Sequence, residues 1–306
     1  MRGRPGDEWV RALEEALPRF SSFRPLGKGG EGAVYSVWDG VRREELALKL
    51  MRDNGEKDLK GKFEREYGIL AQARSARLVR VYDYGQVILR MPETGMGALH
   101  YWYTMEQCET SVAKVLKQLS LVQRVEVGLQ VLDGLAFLHA KGIAHRDIKS
   151  DNVFLMKGLQ TQAKIGDFGL ARDTSKADAV VAGGEVMVYG SPPYLAPERW
   201  FAGKPGEDYR PSDQYAAGVM VYELLSCGHA PLPFGNDRKS YFDAHQSGAV
   251  FGLLIPELRR KTFPTVDMVI GRMLAKRPMD RYGTIAECKG ELTAALSQDD
   301  VWSERG

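Results

Sequence analysis

The spacing of apolar and polar positions changes about a third of the way along the chain. Before residue 108, short runs rich in β-branched and aromatic residues dominate. These runs predict four strands and one charged helix, with the strands at 34–38, 46–51, 78–84 and 99–105 and the helix at 58–72. An amphipathic helix is predicted ahead of them, over residues 7–20, because its apolar residues recur at helical spacing.

Beyond residue 108 the apolar positions follow a helical period, and helices are predicted at 121–141, 213–226, 265–275 and 284–296. A strand-rich part followed by a helical part indicates the α+β class, with two lobes of different composition. We expect four regions, namely an N-terminal helical extension at 1–22, a β-rich N-lobe at 23–107, a helical C-lobe at 108–298 and a C-terminal tail at 299–306.

Composition and charge exclude several classes of protein. The 306 residues are 44% apolar and 27% charged, as in an ordinary globular domain. The formal charge of +2 argues against nucleic acid as the main partner. The most apolar stretch, 216–225, is shorter than the roughly 20 residues that span a bilayer, and residues 1–22 are charged throughout. We therefore expect no signal peptide, no membrane insertion and a cytoplasmic location. The three cysteines are widely spaced, so we expect them to be reduced and buried, which also favours a cytoplasmic location.

The first candidate binding segment is the glycine-rich stretch GKGGEG at 27–32. Glycines lack a Cβ atom, so backbone amides can approach phosphate groups closely. β-Branched and aromatic residues follow the segment, which places it between two strands and excludes a dinucleotide-binding strand–helix turn. The segment fits a flap over nucleotide phosphates, and a plain glycine-rich hairpin turn is the alternative.

Lys49 ends an apolar run in the next predicted strand, where many lysines simply extend to solvent. A functional lysine here needs a carboxylate that holds its ammonium group over the phosphates. Glu66 and Glu64, in the predicted helix, are the candidates. Leu70 lies one turn after Glu66 on the same helix face, which favours Glu66 as the partner.

Two short polar segments carry the densest chemistry, HRDIKSDN at 145–152 and DFG at 167–169. Asn152 and Asp167 offer the hard oxygen ligands that Mg²⁺ prefers, while Asp147 stays available to orient a hydroxyl. A solvated turn could explain either segment alone. Both together, after a glycine-rich loop and a strand lysine, indicate metal-dependent triphosphate chemistry.

With these motifs the chain resembles the eukaryotic-like (Hanks-type) serine/threonine protein kinases over roughly residues 23–296. Two further signatures support the resemblance, GSPPYLAPE at 190–198 and DQYAAG at 213–218. The resemblance implies a two-lobed protein-kinase-like fold with ATP in the cleft between a β-rich N-lobe and a helical C-lobe. It also implies that Arg281 pairs with Glu198, and that Asp213 anchors the catalytic loop.

The resemblance further implies a role for each polar residue. Lys49, held by Glu66, would contact the α- and β-phosphates of ATP. Asp147 would accept or orient the substrate hydroxyl, and Lys149 would neutralise the γ-phosphate. Metal ligands would be Asn152 and Asp167, which would hold two Mg²⁺ ions. The remaining nucleotide contacts would come from Leu26, Gly27, Gly29, Gly32, Val34, Ala47, Met105, Glu106, Cys108 and Leu155.

A lysine two residues after Asp147 is typical of serine/threonine kinases, so we expect transfer of the ATP γ-phosphate to Ser/Thr hydroxyls of protein substrates. Two alternatives are a pseudokinase-type binding scaffold and a small-molecule phosphotransferase. The intact catalytic positions argue against the first, and the peptide-docking segment at 190–198 argues against the second. The oligomeric state stays open, as do the roles of the N-terminal helix and of an extended hairpin at 86–100.

Substrate preference and activation are also open in part. Asp151 and Glu223 occupy positions that in basophilic relatives face an arginine before the acceptor residue, although a solvated turn and a structural glutamate explain them equally well. Residues 176–188 contain no hydroxyl side chain. We therefore hypothesise that activity needs no phosphate within 176–188, and that Glu185 pairs with Arg146 instead. Whether phosphate is needed on nearby hydroxyls stays open for Thr174, Ser175 and Ser191.

Overall fold

The chain divides into two units that are described separately. The structure is a computed structural model, and it describes residues 5–29, 32–51, 59–90, 97–156, 158, 161–173, 190–201, 207–258 and 262–302. The first unit comprises Met1–Arg74 and Val79–Cys108, and the second comprises Ser75–Leu78 and Glu109–Gly306.

The first unit is an antiparallel sheet with two helices. Its strands are β1 (Phe20–Gly29), β2 (Gly32–Asp39), β3 (Glu44–Met51), β4 (Val81–Arg90) and β5 (Gly97–Glu106), and its helices are α1 (Pro5–Ala16) and α2 (Leu59–Gln72). The strand order in the sheet is β1-β2-β3-β5-β4. Side chains alternate between the two faces of such a sheet, so each strand presents one set to each side.

One face of the sheet is covered by α1. Leu13 of this helix and Leu17, which follows its end, share a core with buried residues of β2 and β3 such as Val37 and Leu48. The Trp9 Nε1–H group also donates to the Tyr35 hydroxyl at 2.9 Å. The helix therefore belongs to the core of the first unit. The predicted range of 7–20 is wrong at its end.

Helix α1 ends at Ala16, and Phe20 begins β1 instead of continuing the helical stripe. Pro18 gives the physical reason. A proline disfavours helical backbone in the residue before it, so the helix stops ahead of Leu17 although the apolar spacing continues. Phe20 is still buried, at 2% exposure, because it enters the same core from the strand.

The fourth strand also differs from its prediction at 78–84. It begins at Val81 and runs to Arg90, pairing with β5 as far as Arg90 opposite Gly97. Leu78 instead forms an isolated bridge with Ile165 in the second unit. The predicted extended hairpin is therefore a pair of long strands, and residues 91–96 lie outside the described part of the chain.

The second unit is mainly helical. Its helices are α3 (Val112–Val115), α4 (Leu121–Ala140), α5 (Arg210–Leu225), α6 (Arg238–Ser247), α7 (Pro264–Met273) and α8 (Ile285–Gln298). Its short strands are β6 (Thr110–Ser111), β7 (Ile143–Ala144), β8 (Val153–Leu155), β9 (Ala163–Ile165) and β10 (Arg172–Asp173). The four helices predicted here correspond to α4, α5, α7 and α8, whereas α6 was not predicted.

The structure bears on the expected membrane spans and on the expected burial of the cysteines. In the described part of the chain, no helix is both long and apolar enough to cross a membrane. None of the three cysteines takes part in a disulfide. Cys288 is buried, but Cys108 and Cys227 are only half-buried, so the expectation that all three are buried is wrong for two of them.

The packing of α1 yields a stability prediction. Leu13 is 0% exposed, so Leu13→Ala removes buried methyl groups and leaves a cavity in the core of the first unit. We expect the free energy of unfolding of this unit to fall by about 2–5 kcal/mol, as read from urea denaturation. Arg11→Ala, at an exposed position of the same helix, is the control and should change little. An unchanged midpoint for Leu13→Ala would show that α1 does not contribute to this core.

Candidate active site

In the first unit, Lys49 and Glu66 form a buried ion pair. The Lys49 Nζ atom lies 2.7 Å from Glu66 Oε1, and the two side chains are 9% and 1% exposed. Glu64, the other candidate, is exposed and lies near Lys60 on the same helix. The predicted pairing with Glu66 is therefore present, and its catalytic role stays a prediction.

Tyr103 contacts both members of this ion pair, and it is not among the residues predicted from the sequence. Its hydroxyl donates to the same Glu66 Oε1 atom at 2.7 Å, and the Lys49 ammonium lies 5.9 Å from its ring centroid. Tyr103 stands directly opposite Lys49 in the β3–β5 ladder. Cross-strand partners share a face of the sheet, so the register of the two strands was the signal that could have identified it.

An aromatic cluster holds α2 against this face of the sheet. Phe63 is 3% exposed and stacks on Tyr101, with ring centroids 5.1 Å apart. Tyr67 packs on Tyr84 at 4.4 Å and donates through its hydroxyl to the Tyr82 carbonyl at 3.1 Å. These contacts fix the helix and thereby the position of Glu66.

The candidate nucleotide residues of β2 and β3 lie on the same face as Lys49. Val34 is opposite Lys49 in the β2–β3 ladder, and Ala47 is opposite Met105 in the β3–β5 ladder. Gly27 and Gly29 lie in β1, where Gly29 pairs with Gly32 of β2. Residues 30 and 31 lie outside the described part of the chain. Leu26, in β1, is 45% exposed.

The remaining candidate nucleotide residues lie at the end of β5, just after it, or in the second unit. The Glu106 amide donates to the Arg80 carbonyl at 2.9 Å, and the Glu106 carboxylate accepts from the Arg80 amide at 2.6 Å. Cys108 is half-buried. Leu155 belongs to the second unit, where it pairs with Thr110 across β6 and β8 and accepts a hydrogen bond from the Glu109 amide.

In the second unit, Asp213 holds the segment that follows β7. Its carboxylate is 1% exposed and accepts from the backbone amides of His145 and Arg146, both at 2.7 Å. His139 Nε2 lies 2.9 Å from the same carboxylate. Arg146 has a left-handed backbone with φ of 70°, a conformation that costs energy and needs such fixing. The anchoring role predicted for Asp213 is present as these contacts.

The carboxylate of Asp147 is the centre of a polar cluster. Its Oδ2 atom accepts from Lys149 Nζ at 2.8 Å and from the Asn152 amide group at 2.9 Å. Its Oδ1 atom accepts from the Ser191 hydroxyl at 3.0 Å, and that hydroxyl in turn accepts from Lys149 Nζ at 2.7 Å. Four residues predicted from two separate motifs thus meet in one unit, with the Asp147 side chain 12% exposed.

The two candidate metal ligands lie at one end of a strand pair. Val153 of β8 pairs with Ile165 of β9, and the Gly166 amide donates to the Asn152 carbonyl at 2.9 Å. Asp167 follows directly, exposed and with a left-handed backbone. The Asn152 amide nitrogen donates to Asp147, so its Oδ1 oxygen is the atom suited to a cation. An amide oxygen and a carboxylate fit Mg²⁺ rather than a softer metal.

Glu198 and Arg281 form the predicted pair behind the segment 190–198. Two parallel contacts of 2.8 Å join the guanidinium to the two carboxylate oxygens, and the Arg281 side chain is 0% exposed. Ser212 also donates to Glu198 at 2.8 Å. Burial alone would raise the pKa of Glu198, but the hydrogen bonds and charge of Arg281 outweigh it and hold that pKa below its ordinary value.

A second hydrogen-bonded group joins Glu223 to this segment. The Tyr194 hydroxyl donates to Glu223 Oε2 at 2.7 Å and lies 3.0 Å from the Ser150 hydroxyl. Burial raises the pKa of Glu223 above its ordinary value, and the nearby charge of Asp151 acts in the same direction. Glu223 is therefore a half-buried carboxylate beside an exposed one.

Several residues of the activation hypothesis lie outside the described part of the chain, namely Thr174, Ser175 and Glu185. The Arg146 guanidinium stacks on the Tyr209 ring, with its central carbon 4.2 Å from the ring centroid. The hypothesised pairing with Glu185 stays a prediction.

The family model described as the protein kinase domain matches residues 20–292. The chain belongs to the protein kinase family. This confirms the resemblance on which the two-lobed fold was predicted. The sheet of the kinase has five antiparallel strands where the sequence predicted four, because β1 was not predicted, and the second unit is mainly helical as expected.

Curated relatives of the kinase are similar over most of its length. The serine/threonine-protein kinase PknD of Chlamydia pneumoniae is 28% identical over 94% of this chain, which covers 32% of that relative. The serine/threonine-protein kinase pkn2 of Myxococcus xanthus is 32% identical over 91% of the chain and 32% of its own length. The serine/threonine-protein kinase PknE of Mycobacterium bovis is 29% identical over 90% of the chain, which covers 46% of that relative. The kinase thus spans between about a third and a half of the length of these relatives.

The Glu198–Arg281 pair gives the second prediction. Arg281→Ala leaves the Glu198 carboxylate, whose side chain is 18% exposed, without its cation. We therefore expect the free energy of unfolding of the second unit to fall by about 3 kcal/mol, the lower end of the range for buried pairs. Arg277→Ala is the matched control, since Arg277 forms an ion pair with Asp280 at the exposed surface of the same turn. Its thermal midpoint should stay that of the wild type.

The contribution of the pair should depend on pH. The pKa of Glu198 is lowered in the folded chain, so the stabilisation is present above the ordinary glutamate pKa and is lost as pH falls through the lowered value. The difference in thermal midpoint between the wild type and Arg281→Ala should therefore become smaller as the pH is lowered. Equal midpoints at neutral pH would contradict a stabilising buried pair.

Proposed function

We propose that the chain is a serine/threonine protein kinase that transfers the γ-phosphate of ATP to Ser/Thr hydroxyls of protein substrates, with Mg²⁺ as the required metal. The observation that carries the proposal is the Asp147 carboxylate, held by donors from Lys149, Asn152 and Ser191 within one unit. The names of the relatives support the acceptor class.

Asp147 would act on the substrate hydroxyl. A carboxylate with three donors in fixed directions is pre-oriented, so it can hold the hydroxyl in line and accept its proton as the new oxygen–phosphorus bond forms. The bond between the γ-phosphorus and the bridging oxygen breaks in the same step. Lys149 would neutralise charge on the γ-phosphate, since its ammonium lies 2.8 Å from the Asp147 carboxylate.

Lys49 would bind the α- and β-phosphates of ATP. Glu66 and Tyr103 keep the ammonium on the face of the sheet that also carries Val34 and Ala47. These two small apolar residues would contact the adenine ring, together with Met105, Leu26 and Leu155. The Glu106 amide donates to the Arg80 carbonyl, so Glu106 would accept a hydrogen bond from adenine through its own carbonyl group. Cys108 would contribute backbone groups beside it.

Asn152 and Asp167 would hold Mg²⁺ through oxygen atoms. A bound Mg²⁺ would supply positive charge that disperses the negative charge of the transferring phosphoryl group. Asn152 fits this role because its amide nitrogen is fixed on Asp147, which orients the Oδ1 oxygen. Gly27, Gly29 and Gly32 would bring backbone amides close to the phosphates.

Protein rather than small-molecule substrates are supported by the braced segment 190–198. Glu198 and Arg281 fix one end of it, and Ser191 contacts Asp147 at the other. A peptide bound along this segment would thus be held in a fixed position relative to the catalytic carboxylate. We include a cytoplasmic location in the proposal because ATP is the phosphate donor and no disulfide joins the three cysteines.

The third prediction tests the catalytic roles. Asp147→Asn keeps the shape of the side chain and removes the proton acceptor, so kcat should fall by about 10²–10⁴-fold. Lys49→Met and Asp167→Ala should remove detectable transfer. The measurement is phosphate transfer from radiolabelled Mg·ATP to a mixture of Ser/Thr peptides by the purified chain.

Asp300→Asn is the matched control, because Asp300 is exposed and has a left-handed backbone that asparagine adopts equally well. It should turn over like the wild type. Turnover by Asp147→Asn at the wild-type rate would contradict the role of Asp147. Nucleotide binding without any transfer by the wild type would support the pseudokinase-type scaffold instead.

Substrate preference is a second part of the proposal. We propose that Glu223 and Asp151 bind a basic side chain upstream of the acceptor residue. Tyr194, which belongs to the docking segment, fixes one Glu223 oxygen at 2.7 Å, and Asp151 adds a second, exposed carboxylate nearby. Two carboxylates side by side attract a guanidinium group, which can contact both.

The fourth prediction follows from this pair. Glu223→Gln keeps the acceptor for Tyr194 but removes the charge, so enrichment of Arg upstream of the acceptor in a peptide library should fall by about tenfold. Asp133→Asn, at a surface pair with Lys289, is the control and should leave the library profile unchanged. A wild-type library without Arg or Lys enrichment would refute the preference. The pKa of Glu223 is raised, so the preference should weaken as pH falls.

A further inference from the structure

Helix α6 touches the docking segment through a fully buried histidine. His245 is 0% exposed, and its two ring nitrogens each have a partner. The Nε2 atom lies 2.9 Å from the Pro192 carbonyl oxygen, and the Nδ1 atom lies 2.8 Å from the Tyr215 hydroxyl of α5. The imidazole thus bridges the central helix of the second unit and the first turn of the docking segment.

The partners assign the protonation of this ring. A carbonyl oxygen can only accept, so Nε2 must carry the hydrogen that points to Pro192. Burial lowers the pKa of His245 to about 4, an effect that the Pro192 carbonyl opposes and the charge of Lys276 increases. The ring is therefore neutral near pH 7, and Nδ1 accepts from Tyr215, whose phenol stays protonated because burial raises its pKa.

The next residue of α6 holds the other end of the segment. Gln246 Nε2 donates to the Pro197 carbonyl at 2.8 Å. His245 and Gln246 therefore fix two carbonyl groups five residues apart. The α6 helix is itself tied down, because the Ala244 carbonyl accepts from Lys276 Nζ at 3.3 Å.

Pro192 directly follows Ser191, whose hydroxyl contacts both Asp147 and Lys149. Because Asp147 and Lys149 hold the Ser191 side chain, a shift of the Pro192 carbonyl would displace the part of the docking segment that follows Pro192, relative to the catalytic carboxylate. The hydrogen bonds from His245 and Gln246 to the docking segment need no phosphate, since they join neutral side chains to backbone carbonyl groups. Residues 176–188 contain no hydroxyl side chain that could carry a phosphate.

We propose that His245 is a positioning residue for the protein substrate, which it serves by fixing the docking segment through Pro192 while itself fixed by Tyr215. This inference rests on the proposed function. The alternative is a buried histidine that only fills space in the interior, which would affect folding but not substrate affinity.

The test compares three variants of the full chain. His245→Leu removes both hydrogen bonds, His245→Gln keeps an amide N–H close to the position of Nε2, and His229→Leu changes an exposed histidine as control. For His245→Leu we expect the KM for a peptide substrate to rise about tenfold, while kcat and the KM for ATP stay within about twofold. His245→Gln should restore most of the peptide affinity, and His229→Leu should behave as wild type.

Hydrogen exchange supplies a readout that needs no catalysis. The Tyr194 and Leu195 amides donate to the Ser191 and Pro192 carbonyls in the first turn of the docking segment. Their exchange should accelerate in His245→Leu, while amides of α4 and α8 keep their wild-type rates. The near-ultraviolet circular dichroism of each variant shows whether the second unit is folded.

Each result decides the proposal. The proposal is overturned if His245→Leu is folded and keeps the wild-type KM for the peptide and the wild-type rates of amide hydrogen exchange. It is also overturned if hydrogen exchange accelerates across the whole second unit and kcat falls. A variant His245→Gln that is as impaired as His245→Leu also overturns the role of the Nε2 donor. If the wild type transfers no phosphate to any peptide, the proposed function fails, whereas the exchange data still decide whether His245 fixes the segment.

Discussion

One buried carboxylate, that of Asp213, fixes the backbone directly before Asp147, the centre of the candidate catalytic cluster. It accepts two consecutive backbone amides, and one of them belongs to Arg146, whose left-handed backbone is unfavourable on its own. A charged acceptor makes stronger hydrogen bonds than a neutral one, and in a water-excluded site these bonds are hard to replace. The direction in which Asp147 leaves the chain, and hence every contact of its carboxylate, follows from this anchor.

A second constraint ties the docking segment to the same cluster. Ser191 links its beginning to Asp147 and Lys149, while Glu198 and Arg281 fix its end. Buried ion pairs add little net stability over apolar packing, because both charges lose their water. Their value here is geometric, since a bidentate contact tolerates small displacements poorly. Directional interactions thus fix the two ends of the segment, while Leu195 and Ala196 between them are buried.

The sequence predicted the elements that carry strong periodicity and the residues that carry motifs. It did not predict α6, because RKSYFDAHQS has few apolar residues and its buried face includes a histidine. It also did not predict Tyr103, whose importance depends on being opposite Lys49 in a ladder whose register the sequence does not state. The end of α1 was missed because Pro18 overrides an apolar spacing that continues to Phe20. The differences between prediction and structure therefore come from the register of strand pairing, from a helix with few apolar residues, and from a proline that ends a helix early.

The glycine-rich segment shows why a motif and its function must be separated residue by residue. At Gly32, with φ of 153°, a Cβ atom would lie 2.2 Å from the Leu50 carbonyl oxygen, so close approach of β2 to β3 already requires glycine there. At Gly27 a Cβ atom would meet nothing within 4 Å among the described residues, and no positive φ is recorded. Packing therefore explains Gly32 without any ligand. At Gly27 neither packing nor backbone conformation requires glycine, so the expected approach of a phosphate to this residue stays a prediction.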